Sequence, residues 1–288
     1  MKVAVSGATG LVGRALVARL LAAGHEVTRL VRRQAGDGEV AFGAWGDVAV
    51  DAIVHLAGEP VAQRWTADAR ARIISSRVDL TRKLATDIAA MPAPPKVVVS
   101  ASAIGIYGST EREVDETSPR GLGFLADVGV AWEGAIAPVV ERGCRLVNLR
   151  LGLVLSVEGG LLAGLRPVVR LGLAGPVGSG TQGMSWIARD DLVSLIMAAL
   201  VDDRYRGPVN GVAPGAVSQR EFIRAYAASW GRPAWIPAPA FAVATLMGEM
   251  GREMLLGGAV VRPTVASRLG FQWRAPDLAT ALRNPDGP

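Results

Sequence analysis

Seven residues near the start of the chain, Gly7-Ala-Thr-Gly-Leu-Val-Gly13, carry glycine at every third position. On a strand-to-helix turn this spacing holds the pyrophosphate of a dinucleotide. One glycine adopts the turn's backbone angles, one lets the main chain approach the phosphates, and one lets helix and strand pack closely. The spacing alone is a weak signal in a chain with 35 glycines, and a packing turn is the alternative. Arg32-Arg33 could bind a further phosphate, because guanidinium forks match phosphate oxygens. Other chemistry-bearing residues are sparse. Two histidines, His25 and His55, argue against a histidine-rich zinc site, and the single Cys144 rules out an intrachain disulfide or a multi-cysteine metal site. Cys144 reads as a core thiol and His55 as a residue packed in a strand, so no metal is expected.

The elements around these residues decide whether they can act. The run Lys2–Ser6 has the length and composition of a buried strand, and helical spacing begins after Gly13, with Ala15, Leu16, Ala18, Leu20 and Leu21 on one face and Gly24 closing the helix. The glycines therefore fall on the turn, where the helix's unpaired N–H groups and dipole face an anion. Thr9, Leu11 and Val12 join Gly7, Gly10 and Gly13 as expected cofactor contacts. A second strand, His25 to Val31, runs directly into Arg32 and Arg33. An acidic residue there would bind the ribose 2′-hydroxyl of NAD, whereas arginine pairs with the 2′-phosphate of NADP. No Asp or Glu occurs between Val27 and Gly36, which favours NADP over NAD, with two solvated arginines as the alternative. The strand from Asp51 ends in small residues, putting Leu56, Ala57 and Gly58 where a nucleotide would cross the sheet edge.

A long helix follows Arg64-Trp65-Thr66, with Ile74, Val78, Thr81, Leu84 and Ile88 expected inward and Arg70, Arg72, Arg82 and Lys83 outward. Lys96-Val-Val-Val99 is the next strand and runs into Ser100 to Gly108. Four strand-helix alternations in the first hundred residues predict an α/β doubly wound parallel sheet. A helix is expected over 124–140, a strand over 145–155, a glycine-rich segment over 159–180 and a helix carrying Leu192, Leu195, Ile196 and Leu200. Ser218-Gln-Arg-Glu221 has capping-box spacing. The expected division is a dinucleotide-binding core over 1–160. A mixed region over 161–288 contributes late sheet elements and a smaller substrate-covering part.

Half of the residues are apolar, so a packed core is expected. The net charge of +5 comes from scattered arginines rather than a basic patch, which argues against nucleic acid. The apolar stretch after Lys2 is too short for a signal peptide, and the region 151–176 is broken by Glu158, Arg166 and Arg170, so no membrane segment is expected. A cytoplasmic protein with a small-molecule substrate is the resulting expectation. The oligomeric state stays open, a homodimer among the alternatives.

Taken together, Ser6-Gly-Ala-Thr-Gly-Leu-Val-Gly13, His55-Leu-Ala-Gly58, the Ser/Tyr-Gly stretch at 100–108 and Trp186-Ile-Ala-Arg-Asp-Asp-Leu192 resemble the extended short-chain dehydrogenases, NAD(P)-dependent relatives of nucleotide-sugar epimerases. Ala57-Gly-Glu-Pro60, Arg64-Trp-Thr66, Ser76-Arg77, Phe124-Leu-Ala-Asp-Val128 with Trp132-Glu133, and Arg262-Pro263 with Leu269-Gly-Phe271 are similar to its atypical branch of epimerase family proteins. That branch carries a C-terminal domain of unknown function. The resemblance implies a Rossmann fold and an oxidoreductase or epimerase-like activity. Reductive members of the wider superfamily use Ser, Tyr and Lys, the last two spaced Tyr-x-x-x-Lys. This chain's tyrosines, Tyr107, Tyr205 and Tyr226, are followed four residues on by Glu111, Val209 and Trp230, and no lysine follows Lys96. Where the pair would stand, the chain has Phe124 to Glu133. The atypical active site leaves Ser102, Tyr107 and Glu59 as catalytic candidates, and Arg64 and Arg77 as possible substrate contacts. Two readings remain: an NADP-dependent enzyme with a replaced proton donor, or an NADP(H)-binding pseudoenzyme with a regulatory or partner-binding role.

Overall fold

The computed structural model describes residues 1–32, 35–45 and 48–283. Strand β1 (Lys2–Ser6) leads through the glycine turn into α1 (Leu11–Ala22). The helix thus begins before Gly13, which is a buried first-turn residue rather than part of the loop. Next come β2 (Glu26–Val31), a short β3 (Glu39–Ala41) that no sequence pattern announced, and β4 (Ala52–His55). Thr66 caps α2 (Ala67–Ile74) by accepting the Ala69 N–H, and α3 (Leu80–Ala90) continues it beyond a wide turn over 75–79. That turn advances the chain by an extra residue, so the inward phase changes. Ile73 is fully buried, whereas Ile74, expected inward, is 39% exposed.

Strand β5 (Val97–Ala103) is followed by α4 (Phe124–Ile136). The helix expected to reach Val140 tightens after Ile136 into a 3₁₀ turn that carries Pro138, which cannot donate to the helical ladder. The strand expected over 145–155 is divided at Gly152 into β6 (Arg145–Leu151) and β7 (Leu153–Leu155). A β-carbon on Gly152 would come within 2.8 Å of the Ser185 carbonyl, so the chain bends there against a neighbouring segment. The glycine-rich stretch contains α5 (Gly160–Arg170). Beyond it lie β8 (Gly183–Met184), β9 (Trp186–Ala188), α6 (Arg189–Val201), β10 (Gly207–Gly211), β11 (Val217–Ser218), α7 (Gln219–Ala228) with its capping box formed, and α8 (Ala240–Met250).

Seven strands form one parallel sheet in the order β10-β6-β5-β4-β1-β2-β3. Alternating residues divide its two faces: Val3, Val5, Val54 and Val99 pack with Leu16, Leu192 and Ile196, whereas Ala4, Ile53 and Val98 pack with Leu84, Ile88 and Ile136. The α/β doubly wound sheet expected from the sequence is the observed fold. A separate cluster gathers Leu162, Trp186, Phe222 and Tyr226. No helix among the described residues is long and apolar enough to cross a membrane.

Candidate functional site

The glycine turn is built so that a side chain could replace neither Gly7 nor Gly13. Gly7 has φ +69°, and a β-carbon on it would lie 2.9 Å from the Leu56–Ala57 peptide. One on Gly13 would fall 2.1 Å from the Gly7 carbonyl oxygen. Gly10, the N-cap, supplies no side chain to the α1 N-terminus, and the first turn holds no acidic residue. Unpaired N–H groups at such an end attract an anion. Residues 7–13, including Thr9, Leu11 and Val12, thus fit a dinucleotide pyrophosphate.

The loop leaving β4 lies against this turn. Its Leu56 and Ala57 N–H groups donate to Ser6 Oγ at 3.1 and 3.3 Å, so these two amides face inward and are not offered to a phosphate. Ser6 Oγ lies 2.6 Å from His55 Nδ1, His55 Nε2 lies 2.8 Å from Thr81 Oγ1, and Trp132 Nε1 donates to the same hydroxyl at 3.0 Å. Ser6, His55, Ser100 and Asn148 pair in register across four adjacent strands, a polar row beneath an otherwise apolar layer. Burial alone pushes the His55 pKa down to about 4, so the imidazole is neutral. His55 therefore packs and hydrogen-bonds within the sheet, as its strand position implied. Cys144 is likewise buried, and burial raises its thiol pKa. Arg32 is exposed just past β2; Arg33 lies outside the described residues.

The three catalytic candidates are all engaged. The Ser102 hydroxyl donates to Glu133 Oε1 at 2.7 Å. Glu133 also accepts from Arg150 Nε at 2.8 Å and Nη2 at 2.9 Å, a fork-to-fork pair. Arg150 Nη1 donates to the Tyr107 hydroxyl at 2.8 Å, and Tyr107 donates to Asn210 Oδ1 at 2.8 Å. Burial raises the Tyr107 pKa despite the opposing pull of Arg150. Burial disfavours the Arg150 charge, but the bonds to Glu133 and its charge outweigh this, and the net pKa is raised. A cleft of about 330 Å³ beside this network is lined by Ile106, Tyr107, Ser118, Val130, Glu133 and Arg150. Glu59 is not part of this network: its carboxylate is 3.5 Å from Arg72 Nε and accepts weakly from Gln63. Arg64 is exposed.

Phe124, at the start of α4, stacks edge-on against Trp65 with centroids 4.9 Å apart, and Arg70 lies 4.3 Å over its ring. Arg70, expected on the wet face, is thus half-covered, and it pairs with Glu249 of α8. Glu253 accepts the Phe124 and Leu125 N–H groups at 2.8 and 3.1 Å, so the late part of the chain caps α4 where the pair is missing. Sequence reasoning did not give Glu133, Arg150 or Glu253 these roles. A charged residue within the apolar run 145–151 was the available signal for Arg150, since a buried guanidinium demands a carboxylate.

Residues 3–210 match the NAD dependent epimerase/dehydratase family, and residues 238–284 match a domain of unknown function, DUF1731. An Arabidopsis thaliana relative, epimerase family protein SDR39U1 homolog, chloroplastic, is 39% identical over 301 residues, 98% of this chain and 86% of the relative. Human epimerase family protein SDR39U1 is 38% identical over 291 residues, covering 98% of this chain and 99% of its own length. The crystal structure of the human protein (isoform 2) with NADPH superposes with a TM-score of 0.91 at 35% identity, covering 98% of both chains. Thermus thermophilus UDP-glucose 4-epimerase with NAD shares the fold at TM-score 0.76 and 18% identity, over 99% of both chains.

Proposed function

The chain belongs to the NAD dependent epimerase/dehydratase family, and on that footing we propose that it binds NADP(H) across the glycine turn and acts on a small molecule in the cleft lined by Tyr107, Glu133 and Arg150, to which Ser102 is tied through Glu133. The observation that carries the cofactor reading is the packing of Gly13 against the Gly7 carbonyl. It leaves the uncapped end of α1 open to a pyrophosphate. Arg32 supplies positive charge at the end of β2 for a 2′-phosphate, and Arg33 follows it in the sequence. The human relative's complex with NADPH supports NADP over NAD.

The bound nicotinamide would supply or accept hydride. The protein's share is to orient the substrate oxygen and to handle its proton. Ser102 is the residue proposed to meet that oxygen, its hydroxyl positioned by the hydrogen bond that it donates to the Glu133 carboxylate. Tyr107 shapes the cleft wall with its hydroxyl fixed between Arg150 and Asn210, and Glu59 is the more distant carboxylate base. A second reading, an NADP(H)-binding pseudoenzyme, is favoured by one observation: Ser102, Tyr107 and Glu59 are all already hydrogen-bonded within the protein. Incubation of the protein with NADPH and a panel of aldehydes, ketones and keto sugars, followed at the reduced nicotinamide absorbance, separates the two. The enzyme reading expects oxidation with some of these compounds and a loss of about 100-fold or more in Ser102→Ala, with NADPH affinity retained. NADPH that binds and stays reduced throughout favours the pseudoenzyme, and full turnover by Ser102→Ala removes that residue's role.

A further inference from the structure

Arg77 stands in the wide turn between α2 and α3, one turn beyond Ile73. Ile73 packs with Phe124 and Val128 of α4, and the Arg77 guanidinium carbon lies 5.1 Å from the Trp132 ring centroid. Phe124, Val128 and Trp132 recur every four residues and share one face of α4. The guanidinium is therefore level with the helix turn between Val128 and Trp132, across from the stretch that lacks a lysine.

Its other side meets the loop leaving β4. A β-carbon on Gly58 would lie 3.1 Å from Arg77 Cζ and 3.2 Å from Nη2, so the guanidinium packs against a bare backbone. Nη1 donates to the Glu59 carbonyl at 2.8 Å and, at the limit of reach, to the Ile73 carbonyl at 3.4 Å. Those bonds occupy one nitrogen. Among the described residues Nε and Nη2 donate to no protein group, and neither is a sealed, unpartnered atom. Glu59 is the nearest named charge, yet its carboxylate turns to Arg72 and Gln63. Burial lowers the Arg77 pKa to about 10 against the pull of Glu59, so the group keeps its charge at neutral pH.

A half-buried guanidinium with idle donors is stable beside an acceptor-rich ligand. The loop it braces leaves the carboxyl end of β4, next to β1 and the glycine turn, where a dinucleotide crosses such a sheet. Beyond the pyrophosphate, the first hydroxyl acceptors that the dinucleotide presents in this direction are those of its second ribose, ahead of the carboxamide oxygen at the far end of the nicotinamide. We infer that Arg77 holds the nicotinamide ribose, so that the cation of this half-site comes from the α2–α3 turn instead of from α4. The inference rests on the NADP(H) reading above. An arginine in that place fixes the ribose but passes no proton, which separates holding the nicotinamide from the proton transfer that a Tyr-x-x-x-Lys pair combines. It also gives Gly58 a reason to be glycine.

The test compares NADPH with 2′,5′-ADP, which carries the adenosine half and the extra phosphate but no second ribose. Wild type, Arg77→Ala, Arg77→Lys and Gly58→Ala are titrated with both ligands. Arg77→Ala is expected to weaken NADPH by about tenfold or more, the loss of a charge-assisted hydrogen bond, while 2′,5′-ADP stays within about twofold. Arg77→Lys lies between, and the emission of bound NADPH shifts in Arg77→Ala. Gly58→Ala, which displaces the guanidinium but keeps the arginine, shows the same selective loss to a smaller degree and decides the matter should Arg77→Ala fold poorly. Unchanged NADPH affinity overturns the assignment, as do equal losses for both ligands, which would make Arg77 a brace for the loop alone. Wild type that binds 2′,5′-ADP but gains nothing from the nicotinamide half overturns it too; wild type that binds neither overturns the cofactor reading itself.

Discussion

A histidine as deeply buried as His55 is compatible with the fold only while neutral, which ties the protein's stability to pH. Its pKa is about 4 in the folded chain against 6.5 when exposed, so between those values the unfolded chain takes up a proton that the folded chain does not. The stabilisation is whole above pH 6.5 and is lost as pH falls toward 4, an effect of about 3 kcal/mol across the window. Denaturant titrations of wild type and His55→Gln over that range should give a steeper fall for wild type; parallel curves would show that His55 does not set the slope. Residue chemistry was unevenly legible in the sequence. Gly7 and Gly13 of the turn announced themselves because glycine alone tolerates such close approach, and His55 read correctly from its apolar neighbours. Ser102 was nameable, but its tie to Glu133 was not, because 31 residues separate the two and only the packing of α4 over β5 joins them.

The element that matters most is the β1–turn–α1 unit, and its tightness yields a sharp expectation. In Gly13→Ala the new methyl would sit 2.1 Å from the Gly7 carbonyl, and backbone cannot yield as a side-chain tip can. Overpacking of this kind costs about 1–3 kcal/mol or more, and the displaced carbonyl spoils the phosphate cradle. A lowered Tm together with NADPH affinity reduced by about tenfold or more is the predicted pair of results. A stable variant with intact binding would mean the turn is packing alone. Strand and helix periods made most elements readable, because each strand of the parallel sheet is a short apolar run between turn residues. The exceptions have identifiable causes. The wide turn at 75–79 changes the helical phase within one continuous pattern, which exposes Ile74 and brings Ile73 and Arg77 to α4. The division at Gly152 reflects contact with Ser185, invisible along the chain.

At the scale of the molecule, the late region is fastened to the sheet edge around the candidate site rather than appended beside it. Glu253 caps α4, Glu249 pairs with Arg70, and Val261 bridges Val114 while the Arg262 carbonyl accepts from Asn210. Asn210 in turn holds Tyr107, so one polar chain runs from the cleft to Arg262 of the late region. The sequence made the doubly wound core legible and suggested a covering region, but these fastenings join residues far apart in the chain, and no local period encodes them. On the proposed reading a phosphorylated dinucleotide lies from Arg32 at the end of β2, over the glycine turn, to Arg77. Calorimetric titration of the 288-residue chain with NADPH and with NADH tests this most directly. Both are expected to bind, NADPH tighter by about tenfold or more through its 2′-phosphate. NADH binding as tightly would remove the role given to Arg32, and binding of neither would mean that the glycine turn holds no dinucleotide.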